Sequence, residues 1–166
     1  MKLTLPWNKP HDNYLVLTGF VLLAEAAGIL GSLFTFPAIS SWYAYLNKPF
    51  FSPPNYLFGP VWTLLYLLMG ISAYLVWRKY QFGKKSRAFW HVYWTQLILN
   101  SLWSILFFGF QLPSLAFFEI LAMWYFIART IQESRQLSPW SSYLLYPYIL
   151  WVSFASLLNL SIWLLN

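Results

Sequence analysis

The chain has 166 residues, of which 60% are hydrophobic, 23% aromatic and 8% charged. That is about a third of the charge an average soluble domain carries, which excludes a water-soluble enzyme and defines an integral membrane protein. The absence of cysteine excludes thiolate catalysis, thiolate metal sites and disulfides. The net charge of +6 sits in loops, so it speaks to membrane orientation and not to a nucleic-acid partner.

Against the ~20 residues needed to cross a bilayer, the apolar runs predict a single domain, 1–166, of five spans: Tyr14–Phe36, Leu57–Trp77, Phe89–Phe110, Pro113–Thr130 and Ser141–Leu165. An odd number places the two ends on opposite faces. Lys2, Lys9, Arg78, Lys79, Lys84, Lys85, Arg87, Arg129 and Arg135 then share the N-terminal face, and Lys48 is alone on the other. The excess of cytoplasmic Lys and Arg in such proteins predicts a cytoplasmic N-terminus, an outward-facing first loop and C-terminus, and a plasma or inner membrane.

The first span begins after a polar segment, Met1–Asn13, in which Pro6 and Pro10 oppose helix. Ala24-Glu25-Ala26 matches a signal-peptidase pattern, but the apolar run continues to Phe36, as a retained span requires. Ala24, Gly28 and Ser32 recur every four residues, a stripe that lets another helix approach closely. Glu25 lies near mid-span, where an ionisable group is costly. Proton handling, a ligand contact and a hydrogen bond across a helix interface are all open readings of it.

The connection from Trp42 to Tyr66 is dense in proline and aromatics, and Pro49, Pro53 and Pro54 impose a stiff, non-helical path. Irregular backbone is not viable against lipid, so this loop is expected to be structured at the surface or over a cavity. The second span starts at Gly59-Pro60 with Trp62, Tyr66 and Met69 on one face, and the loop Arg78–Arg87 is expected to meet anionic lipid headgroups. The third span carries Gln96, Asn100 and Ser104 at four-residue spacing, with Trp103 beside them. The turn from Gly109 to Pro113 makes helices three and four antiparallel neighbours. In the fifth span Pro147 is expected to kink the helix.

Counted inward from the outer face, Trp62, Trp103, Glu119 and Asn159 share one level about 10 Å deep at the helical rise, with Asn100 and Trp151 deeper. This suggests an aromatic-walled cavity for a flat, largely apolar ligand. Trp77, Trp90, Trp94, Trp140 and Trp163 are assigned instead to interfacial belts. No metal-binding cluster is visible. The histidines are His11 and His91, and the latter is read as an interfacial residue, not a haem ligand.

The runs Trp42-Tyr43…Leu46-Asn47-Lys48-Pro49…Gly59-Pro60-Val61-Trp62, Gln96…Asn100…Trp103 and Leu144-Leu145-Tyr146-Pro147-Tyr148…Trp151…Asn159 resemble the TspO/MBR family of translocator proteins and tryptophan-rich sensory proteins. The resemblance implies an all-α, five-transmembrane-helix bundle, often dimeric, that binds porphyrins such as protoporphyrin IX and haem, sterols, or synthetic flat ligands, with no cofactor required. It implies ligand contacts at Tyr56, Leu57, Trp62, Asn100, Trp103, Trp151, Ala155, Leu158 and Asn159, to which the depth argument adds Glu119. It also implies that any light-driven porphyrin breakdown would run through Trp62 and Trp151. Sensor, porphyrin-degrading enzyme and transporter are the functions it leaves open. Leu158–Asn166 lacks the Tyr and basic residue of the family's sterol motif, His91 and Thr95 replace a small-residue dimer stripe, and Leu115 replaces a Trp.

Overall fold

A computed structural model describes residues 13–166, which form five α-helices and, among those residues, no strand: α1 (Tyr14–Ile39), α2 (Phe58–Tyr80), α3 (Arg87–Ser104), α4 (Pro113–Leu137) and α5 (Pro139–Leu165). The segment holding Lys2, Lys9, His11, Pro6 and Pro10 lies outside the described residues. Four helices, α1, α2, α4 and α5, are long and apolar enough to cross a membrane. On its own α3 is not, because Arg87, His91, Gln96 and Asn100 dilute its apolar residues.

The helices close a ring in the order α1, α2, α5, α4, α3 and back to α1. α1 starts where the Asn13 side chain accepts the Val16 N–H at 3.2 Å, an N-cap, and runs three residues beyond the expected Phe36, with Pro37 in its last turn. α4 runs well past the expected Thr130. Its last turns are polar and so escape a count of apolar residues, but they bury Thr130, Ile131 and Ser134 and carry an Arg129–Glu133 pair at 3.1 Å. Only Ser138 separates it from α5, and the Lys79 ammonium donates to the Leu137 carbonyl at 3.1 Å, as cations do at helix C-termini. α5 continues unbroken through Pro147.

At the end of the bundle where α1 begins, the loop after α2 turns at Gln81 with φ 50°. Its carbonyl accepts the Trp90 indole N–H at 2.8 Å and the Ser86 hydroxyl at 2.7 Å. Trp90 is therefore not the belt residue expected from the sequence. It is 5% exposed and stacked on Phe20 at 5.5 Å, because the loop supplies its N–H with a partner inside the protein. Arg78, Lys79, Lys84, Lys85 and Arg87 gather at this end.

Small residues set the helix spacing. Ser72 on α2 and Ser141 on α5 bond reciprocally, each hydroxyl reaching the other's carbonyl at 2.9–3.0 Å. On α1 the close approach uses Ala24, Gly28 and Gly31, while Ser32 of the expected stripe is only partly buried. Gly70 on α2 sits against the Val21 backbone, and an added Cβ would lie 2.6 Å from the Val21 Cα. Gly70→Ala is expected to push α1 from α2 and cost about 1–3 kcal/mol. Gly19→Ala, which meets open space, is expected to be neutral or slightly stabilising. Thermal unfolding of both variants in the same detergent checks the contrast.

Candidate functional site

Midway through the bundle a buried hydrogen-bond chain joins three helices. The Tyr66 hydroxyl of α2 donates to the Asn100 side-chain oxygen of α3. Asn100 in turn donates to the Tyr148 hydroxyl of α5 at 2.9 Å, and Tyr148 donates to Gln96 Oε1 at 2.9 Å. Gln96 ends the chain against the Met69 sulfur at 3.8 Å. This chain closes one end of a cavity of about 410 Å³ that Tyr66 and Asn100 line, well within the ~300–1,000 Å³ range of small-molecule sites.

The walls are aromatic. Trp62 stacks on Tyr66 with ring centroids 5.7 Å apart and meets the edge of Tyr148 at 6.2 Å. Trp103 stacks on Phe107 at 5.2 Å. Its indole N–H donates to Asn159 Oδ1 at 3.0 Å, and the Asn159 amide donates to the Pro113 carbonyl at 2.8 Å, so one asparagine on α5 fixes both the tryptophan of α3 and the first turn of α4. A π-helical turn, Ile105–Gly109, ends α3 and presents Phe107 and Phe108 to the cavity. Trp151 completes the wall from α5, edge-on to Phe58 at 6.0 Å.

The connection between α1 and α2 lies over the far end. Trp42–Tyr45 and Asn55–Leu57 form 3-10 turns, and Tyr43 is buried with the Lys48 ammonium 4.7 Å above its ring. Burial pushes the Tyr43 phenol above its ordinary range. The loop is anchored to the end of α5, where the Asn47 N–H reaches Asn166 Oδ1 at 2.9 Å and the Asn166 amide reaches the Asn47 carbonyl at 3.0 Å.

The cavity brings together Tyr56, Trp62, Asn100, Trp103, Trp151, Ala155, Leu158 and Asn159. It does not include Leu57 or Glu119. Leu57 follows Tyr56 on a tight 3-10 turn, in which consecutive side chains point about 120° apart. α4 contributes no lining residue, because it packs against α3 and α5 from outside the cavity. Both Glu119 carboxylate oxygens are buried without a hydrogen-bond partner. His91 is exposed and away from the cavity.

The wall that sequence reasoning missed is α1. Gly28, Ile29, Ser32, Thr35, Phe36 and Ile39 line the cavity, as does Glu25, for which a ligand contact was one open reading. The signal was present, since Glu25, Ser32 and Thr35 interrupt an apolar span at helical spacing. Ile29 is 60%, Phe36 71% and Tyr56 78% exposed, so the cavity opens sideways between α1 and α2, near the loop that joins them. Among the described residues no group of three or more acidic or histidine side chains could hold a metal ion.

Fold and site define a class: an α-helical integral membrane protein with an aromatic-walled, ligand-sized cavity enclosed by its helices. The chain belongs to the TspO/MBR family, whose model matches residues 20–164. It is 44% identical over 160 residues to the tryptophan-rich protein TspO of Archaeoglobus fulgidus, covering 93% of this chain and 99% of that protein. It is 38% identical over 146 residues to the translocator protein of Ovis aries, covering 87% and 86%, and 38% over 125 residues to the tryptophan-rich sensory protein of Cereibacter sphaeroides, covering 75% and 77%.

The Asn159 bridge makes the site sensitive to one substitution. Asn159→Ala strands the Trp103 N–H and the Pro113 carbonyl and is expected to cost about 1–3 kcal/mol. Thermal unfolding reads that loss, and a shift in tryptophan emission reads the released indole.

Proposed function

We propose that this protein is a membrane receptor that takes a flat, largely apolar ligand into the cavity, with porphyrins, protoporphyrin IX or haem, as the ligand class that the family resemblance implies. One observation carries the reading: Trp62, Trp103 and Trp151, from three different helices, wall a single cavity that also holds the amides of Asn100 and Asn159. Indole faces stack on a planar ring system and the few polar groups orient it. In this reading α3 with its π-helical turn is the fifth span, the basic end of the bundle faces the cytoplasm, and the proline-rich loop covers the cavity on the outer side. Membrane lipids and a second copy of the chain are its further partners, and regulation of tetrapyrrole handling or a stress response is the output.

A second reading, light-driven porphyrin breakdown, is favoured by one specific arrangement: Trp62 and Trp151 line the same cavity, so both indoles would meet one bound ring. Tryptophan quenching by protoporphyrin IX is expected to be saturable in the dark and about tenfold weaker in affinity for Trp62→Phe/Trp151→Phe, as loss of about 1.4 kcal/mol of stacking implies. Linear, mutation-insensitive quenching would mean that the porphyrin dissolves in the micelle. Under illumination, loss of the porphyrin absorbance bands in wild type but not in the double variant would select the second reading over simple binding.

A further inference from the structure

Among the described residues the cavity is lined by one carboxylate, Glu25, and by no lysine, arginine or histidine. Glu25 lies near the middle of α1, where charge is costly unless it is countered. Its side chain is half-buried, and no described residue gives it a hydrogen bond or an ion pair. Most other polar groups of the lining are already engaged. Ser32 and Thr35 bond backbone carbonyls of their own helix, Tyr66 and Asn100 belong to the buried chain, and Trp103 and Asn159 bond each other. Those left free, such as Ser104 and Thr63, are neutral.

The electrostatics of this enclosure are therefore one-sided. A cationic group brought in by a ligand finds a carboxylate that lacks a partner, and each charge compensates the other in a site shielded from water. An anionic group finds no countercharge. Lys48, in the loop, does not line the cavity, and its ammonium already donates to the Ala44 and Leu46 carbonyls. We propose that Glu25 is the specificity-determining residue of the cavity and that it selects flat aromatic ligands bearing a protonated amine or amidine, held with that group against α1 and the ring system against the tryptophans. This rests on the reading that the cavity binds flat apolar ligands, and it goes beyond that reading by ranking them by charge: a cationic ring system binds more tightly than a neutral one, and the carboxylate-bearing porphyrins named above are held by stacking alone, without help from Glu25.

The test uses three probes with one ring system: pyrenemethylamine, pyrenemethanol and pyreneacetic acid. Each is titrated into the purified full-length protein, wild type and Glu25→Gln, with energy transfer from tryptophan to pyrene as the readout. The wild type is expected to bind the amine about tenfold more tightly than the alcohol, equivalent to one charge-assisted contact, and the acid more weakly than either. Glu25→Gln is expected to bring the amine and the alcohol to the same affinity, and saturable binding of the alcohol by the variant shows that it is folded. Glu25→Asp is expected to restore part of the preference. Equal binding of amine and alcohol to wild type, or a preference that survives in Glu25→Gln, would overturn the role of Glu25 and leave the cavity reading standing. No saturable binding of any probe would overturn both.

Discussion

A protein in a bilayer has no water with which to satisfy its inward-facing polar groups, and here the hydrogen-bond chain from Tyr66 through Asn100 and Tyr148 to Gln96 meets that constraint. It ties α2, α3 and α5 together at mid-depth, each link worth about 0.6–2 kcal/mol. Everything outward of this level follows from it. With three helices held at the chain, Trp62, Trp103 and Trp151 stand around the space above it. The Asn159 bridge and the Asn47–Asn166 pair then hold that space open and close its far end.

α1 is joined to this frame differently. Its contact with α2 depends on glycine at Gly28 and Gly70 instead of on paired polar groups, while Ser101 on α3 donates to the Ala27 carbonyl at 2.9 Å. The tight contact at Val21 and Gly70 belongs to the end where α1 begins. Further along, Ile29 and Phe36 are exposed beside the cavity. The sideways opening beside α1 thus leads to the tryptophans, and the same helix carries the one carboxylate among the described lining residues.

Much of this was legible in the sequence for identifiable reasons. Apolar length located the helices, the Gly109–Pro113 turn paired α3 with α4, and depth counting set Trp62, Trp103, Glu119 and Asn159 at one level, two of which, Trp103 and Asn159, are bonded to each other. Depth, however, gives height along a helix and not direction around it. Glu119 lies on a helix that contributes nothing to the cavity wall. The α1 wall was missed because Gly28 and Ser32 were read as packing, and small residues serve close approach and cavity lining alike. Trp90 was misassigned because the sequence does not show that the Gln81 carbonyl would be there to receive its N–H. The length of α4 was underestimated because its final turns are stabilised by the burial of Thr130, Ile131 and Ser134 and not by apolar content.

The central claim is that the space between α1, α2, α3 and α5 is where a ligand resides, and the natural lack of cysteine makes a direct test available. Single substitutions Ser32→Cys and Ser104→Cys place a thiol on two walls of the cavity, and Ile98→Cys places one on the exposed outer face of α3. The rate of alkylation by a small maleimide is measured with and without saturating protoporphyrin IX in the dark. Strong protection of the thiols at positions 32 and 104, with no change at 98, is the result this account predicts. Equal rates with and without ligand at all three positions, under conditions where binding is saturated, would contradict it.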